Sequence, residues 1–252
     1  MKKHKRPFSW EIAAAIVFWL VIWQAASMAI GEEILLASPL TVCTTLLHLL
    51  PQPEFWSTVT ISFFRIITGF ILAVAAGVLL AVLAAYSSIL RVLFSPLMLL
   101  IKAVPVASFI ILVLLWTGSV GLSVVISFLM VLPVIYTNTL EGILQTDVQL
   151  LEMAKVFHLR WHQKLRAIYL PYVLPYFSSA CSISVGLGFK SGIAAEVIGL
   201  PDGTIGEMLY QAKIYLSTGE VLAWTVVIVV LSIGFEYLLR LFLKWAQRRL
   251  NR

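Results

Sequence analysis

Two groups of residues carry chemistry in a chain otherwise short of it. The first is the run LLEMAKVFHLRWHQKLRAIYLPYVLPY, residues 150–176, where ionisable and aromatic side chains crowd together between apolar stretches. The second is a set of isolated charges in apolar surroundings: Arg65, Lys102, Lys190 and Glu196. His158 and His162 are four positions apart, a spacing that shares one helical face and could offer two nitrogens to a metal. No carboxylate or third histidine stands nearby at zinc-site spacing and there is no HExxH, so no metal site is expected. GLGFKSG, residues 186–192, is glycine-rich but lacks the ending and helix context of a phosphate loop, and it reads as a close helix contact. An intramembrane enzyme needs converging nucleophiles, acids or metal ligands. None converge here, and a non-catalytic chain without its own cofactor is expected.

The elements that must position these residues are set by composition. Of 252 residues, 61% are hydrophobic and 12% charged, with a mean hydropathy of +0.99. Soluble domains carry about a quarter charged residues, so there are too few charges here to cover a water-facing surface. Apolar runs at about 11–30, 58–85, 96–116, 119–140, 168–190 and 221–243 each approach the ~20 residues needed to cross a bilayer. The expectation is an all-α integral membrane protein with six spans. The second run holds Gly69, Ala73, Ala76, Gly77, Ala81 and Ala84, small residues that suit close helix approach in lipid. The first run follows MKKHKRP and is long for a signal peptide. It reads as a retained helix, although AASMA leaves a cleavage site open.

The net charge of +6 does not form one patch, which argues against nucleic acid. With the amino terminus inside, 14 of the 18 Lys and Arg fall in inner segments, Arg240 counted among them. This is the asymmetry that orients membrane proteins. Both termini and the 150–176 run are therefore expected in the cytoplasm. The segment after the fifth run repeats Ile205, Met208, Leu209, Ala212 and Leu216 at three-or-four spacing and predicts a short helix along the outer surface. Cys43 and Cys181 read as apolar fillers.

Charges within apolar runs are functional suspects. Arg65 and Lys102 either snorkel or line a substrate path, with Lys190 at a span boundary. Glu196, closing the fifth run on the outer side, is placed where it could pair with Arg65, and Arg65, Lys102, Lys190 and Glu196 are together the candidates for the translocation path. In the polar run, Leu151, Ala154, Phe157, Trp161, Leu165 and Ile168 make one apolar face, and Glu152, Lys155, Arg160, Lys164 and Arg166 the other. The pattern predicts an amphipathic helix, either on the membrane surface or docked in a partner's groove.

EMAKVFHLRWHQKLRAIYLP resembles the cytoplasmic loop signature of permeases in binding-protein-dependent ABC importers, Glu-Ala-Ala, three residues, Gly, nine residues, then Ile-x-Leu-Pro. Glu152, Met153, Ala154, Ile168, Leu170 and Pro171 fall at matching positions, with Pro175 beyond. His158 stands at the glycine, and Met153 at the second alanine. The segments around residues 61–118 and 191–224 are similar to the nitrate/sulfonate/taurine-type permeases, so the likeness covers about 58–245.

The resemblance implies a six-helix type I permease bundle with a cytoplasmic coupling helix and no catalytic residue. In it, Glu152, Met153, Ala154, Lys155, Phe157, His158, Leu159, Arg160 and Trp161 would couple the permease to an ATPase. It also implies a second permease copy, two ATPase subunits that bind ATP and Mg, an extracytoplasmic substrate-binding protein and a bacterial inner membrane. Three regions follow: 1–57 with the first span, 58–245 with the permease core and a coupling loop at about 141–167, and 246–252 as a cytoplasmic tail. The substrate class implied is a small anion; a vitamin or its precursor is the alternative. A secondary transporter would instead show inverted repeats, and none is visible.

Overall fold

The computed structural model describes residues 9–250. The expected cytoplasmic lead, with Lys2, Lys3, Lys5 and Arg6, lies outside them, as does Arg252. The described residues are helical with no strand. The elements are α1 (Ser9–Ile30), α2 (Pro39–Leu49), α3 (Pro53–Tyr86), α4 (Ser88–Ala103), α5 (Val106–Thr117), α6 (Leu122–Leu144), α7 (Val148–Val156), α8 (Trp161–Lys164), α9 (Leu170–Gly199), α10 (Ile205–Ile214) and α11 (Thr218–Leu250), with a π-helical segment Leu165–Tyr169 leading into α9. Among the described residues, five helices are long and apolar enough to cross a membrane; α4 and α5 pass that test together but meet at a 104° bend, the geometry of a broken span or a re-entrant pair. The single third span expected at 96–116 is corrected accordingly. Pro105 cannot donate to the helix ladder and pushes Val104 out of the helical region, so the helix stops and restarts.

Residues 9–57 and 208–227 form one compact unit. The chain between α1 and α2 is tied down: the Trp23 indole N–H donates to the Ala37 carbonyl at 3.1 Å, and Ser27 Oγ donates to the Leu36 carbonyl at 2.8 Å. Ser38 caps α2 by accepting from Thr41 N, with Pro39 in the first turn, where its missing N–H costs nothing. Ala37, Val42 and Ala223 form its core under Trp23, Leu46 and Leu49, and Phe55 stacks on Trp224 at 5.1 Å. The helix α2 escaped the sequence reading, because its eleven residues are too short to register as a span.

Residues 58–207 and 228–250 form the second unit. Its centre is the packing of α6 on α9 and α3, made close by small residues. A Cβ on Gly69 would meet Val124 O at 2.3 Å, one on Gly77 would meet Ile135 at 2.9 Å, and one on Gly192 would meet Ser127 Oγ at 2.6 Å. Ala73, Ala81 and Ala84 are fully buried along the same stretch of α3. In lipid there is no hydrophobic drive between helices, so this van der Waals closeness is what associates them.

Candidate functional site

The loop between α6 and α9 is built from backbone outward. Asp147 opens α7 by accepting from Gln149 N at 2.8 Å. Helix α7 ends at Phe157, and His158 adopts the left-handed conformation, φ +48°. Leu159 N donates to Ala154 O at 3.0 Å and His158 N to Lys155 O at 3.1 Å. These two bonds are the Schellman closure that usually carries glycine in the left-handed position. The chain restarts at α8, with Arg160 N donating to Gln163 Oε1 at 2.9 Å. The one continuous amphipathic helix expected from residue 150 is therefore two helices broken at His158, and His158 and His162 no longer share a face. Periodicity could not show the break because the apolar spacing continues through it.

The break turns apolar side chains outward. Val156, Phe157 and Trp161 are 74%, 70% and 68% exposed, with Met153 beside them. Glu152, Lys155 and Arg160 are exposed too, while Ala154 is buried and anchors α7. Beyond α8, Leu170 N bonds to Leu165 O, five residues back, in the π turn. Pro171 follows at the start of α9; its ring would crowd the carbonyl four residues earlier, and a wider turn relieves this. Ile168 is buried, Leu170 half-buried, and Pro171 and Pro175 exposed.

At the far end of α9, Glu196 is fully buried. Its Oε2 accepts from Ser62 Oγ of α3 at 2.7 Å and from Gly206 N of α10 at 3.3 Å. Ser62 Oγ in turn accepts from Ile205 N at 2.9 Å. The carboxyl group thus receives one amide donor, Gly206 N, from the first turn of α10, and Ser62 Oγ links it to a second, Ile205 N, at the helix end where the dipole favours negative charge. Thr204 caps the same turn, accepting from Glu207 N at 3.3 Å. A Cβ on Gly206 would lie 2.2 Å from Glu196 Cβ, so only glycine admits this approach.

Arg65 and Glu196 do not come within ion-pair distance, whereas Arg240 and Glu236 do. Glu196 Oε1, Ser123 Oγ and Arg65 Nη1 are buried without hydrogen-bond partners. The backbone amide that Glu196 meets, Gly206 N, belongs to a turn ten residues further on, invisible to charge counting.

Lys102, in the last turn of α4, is exposed and donates to Thr137 Oγ1 at 3.3 Å. Lys190 is exposed on α9. These two, Arg65 and Glu196 do not converge on one cavity: Glu196 belongs to the cluster at the Gly199 end of α9, Lys102 to the α4–α6 contact. Arg240, counted with the inner cations, instead pairs with Glu236 and donates to Ser182 Oγ of α9 at 3.1 Å. At 33 residues α11 is longer than a bilayer requires, and Arg248 and Arg249 stand in its last turn.

Residues 73–252 match the family of binding-protein-dependent transport system inner membrane components, and the chain belongs to that family: it is a multi-pass inner-membrane permease of an ABC importer. Among its relatives, SsuC of Bacillus subtilis, described as an aliphatic sulfonates transport permease, is 29% identical over 92% of this chain and 85% of its own. The taurine transport system permease TauC of Escherichia coli is 26% identical over 99% of this chain and 95% of its own. Among solved structures, an amino acid ABC transporter crystallised with histidines is 19% identical and superposes with a TM-score of 0.60, covering 76% of this chain and 94% of that one. That likeness is one of fold: the helical bundle here is the type I permease bundle.

Proposed function

We propose that this chain moves a small oxyanion of the sulfonate, taurine or nitrate class and is driven by ATP hydrolysed on a separate subunit. The observation that carries the coupling is the pair of short helices α7 and α8 on either side of His158. Val156, Phe157 and Trp161 there are exposed although nothing in a monomer rewards exposing three large apolar groups together. A helix offered this way suits a groove on a partner, and the partner that fits is the importer's ATPase. The rigid bend makes the pair a lever, because α8 runs through the π turn into α9 without a flexible joint. Both termini and this loop then face the cytoplasm. Two permease copies and two ATPases complete the translocator, and an extracytoplasmic binding protein delivers the substrate.

The anion assignment rests on the sulfonate-type relatives and on cations at Lys102, Lys190 and Arg240. The test is co-purification. Wild type should retain an ATP-hydrolysing subunit, while Phe157→Glu and Trp161→Glu should lose it and lose uptake, yet insert in the membrane normally. A Trp161→Glu chain that kept both the subunit and uptake would overturn the coupling role.

A further inference from the structure

One ion pair lies where hydrocarbon is expected. Arg240 Nη2 meets Glu236 Oε1 at 2.5 Å, one turn apart on α11, and Arg240 Nε reaches Ser182 Oγ at 3.1 Å. Helix α6 serves as the depth gauge: its 23 residues at about 1.5 Å each make about 34 Å, close to the ~30 Å hydrocarbon layer.

Two registers against it agree. Ser127 Oγ donates to Gly188 O at 3.2 Å, and Gly142 lies against Val173 and Tyr176, so α9 runs antiparallel to α6. Ser182, between those levels, stands near Pro133, the midpoint of α6. Independently, the Phe235 ring packs on Phe63, Phe70 and Phe189 at 6.0, 5.5 and 6.3 Å, while Gly69 beside Phe70 touches Val124 and Ser127. Phe235 is thus level with the first third of α6, and Arg240 lies about 7.5 Å further in. Both registers put the guanidinium near the middle of the membrane.

The Arg240 and Glu236 side chains are 56% and 29% exposed. Charges at this depth face water or protein rather than lipid. The neighbouring face of α9 is polar as well: Ser182, Gly186 and Lys190 follow at four-residue spacing, over about 12 Å. Lys190 is exposed, and nothing lies within 4 Å of where a Gly186 Cβ would be.

We propose that Ser182, Gly186, Lys190, Glu236 and Arg240 line a water-filled stretch of the substrate path, and that Arg240 is an anion contact at mid-membrane. This rests on the importer reading above. Arg240 keeps unused N–H groups after binding Glu236 and Ser182, and a planar guanidinium suits sulfonate or nitrate oxygens. Glu236 holds the guanidinium when no anion is present. It also weakens anion binding enough for release, which conduction requires. With Lys190, the stripe keeps one net positive charge, which selects the sign of the ion.

The test uses full-length chain in membrane vesicles with Cys43→Ser and Cys181→Ala as background. Single cysteines at Gly186 and Ser182 should react with hydrophilic methanethiosulfonates, whereas Leu238→Cys, on the opposite side of α11 from Arg240, should not. At Gly186→Cys the anionic sulfonatoethyl reagent should react about tenfold faster than the cationic trimethylammonioethyl one. That ratio should persist in Arg240→Lys and collapse in Arg240→Gln. Silence at both positions in a variant that inserts normally would overturn the proposal. So would a ratio indifferent to Arg240→Gln, or cross-linking of Arg240→Cys between copies without labelling. If the proposal fails while the ATPase still co-purifies and uptake persists, the importer reading stands and only this path is wrong.

Discussion

The two ends of α9 solve opposite problems. At the Gly199 end a carboxylate is buried completely, its Oε2 held by Ser62 Oγ and Gly206 N and its Oε1 left unpaired, with no room for a single carbon at Gly206. At the Leu170 end large apolar groups are exposed and the backbone is forced, left-handed at His158 and π-helical from Leu165 to Tyr169. The first end is closed by packing within the chain. The second is built to be completed by something else, and it keeps a strained but well-bonded bend to hold its apolar groups outward.

The comparison breaks most easily at the closed end. Gly206→Ala drives a methyl into Glu196 and the Val197 backbone, and should cost about 3 kcal/mol or more, seen as a large drop in the thermal midpoint in detergent. Glu196→Ala strands the Ser62 hydroxyl and the Gly206 amide, and should cost about 2 kcal/mol by the same measurement. Glu196→Gln keeps an acceptor oxygen and should lose less than half of that. If Glu196→Gln were as damaging as Glu196→Ala, the charge rather than the hydrogen bonding would hold this end together.

At the open end the signs differ. His158→Gly removes the side-chain penalty at φ +48° and should stabilise the bend by about 1 kcal/mol, read as slower hydrogen exchange at Leu159 N–H. His158→Val should speed that exchange. Phe157→Glu should leave the thermal midpoint within about 0.5 kcal/mol of wild type, because an exposed side chain supports nothing inside the fold. A strong destabilisation there would mean the loop is part of the core, and the contrast between the two ends would fail.

Much of this was legible in the residues. Long apolar runs, the small residues of α3 and the loop signature from Glu152 to Pro171 point to a helical permease without any coordinates. The places where reading failed share a cause. Pro105 marks a possible break, but whether α4 and α5 continue or bend by 104° depends on their packing. Glu196 was assigned to the nearest plausible cation because backbone amides carry no letter in the sequence; the turn of α10 took Arg65's place. An apolar run has no visible depth mark, so how deep Arg240 sits is a question for the register of α9 and α11 against α6 rather than for cation counting.

Sequence alone therefore determined the solvent, the helical class and the amphipathic face of the loop, since these follow from composition and from periods of a few residues. Tertiary structure decided which polar atom meets which, because that depends on helix register. A shift of one turn, about 5.4 Å, would exchange every partner at Glu196, Ser182 and Arg240 and leave the hydropathy profile unchanged.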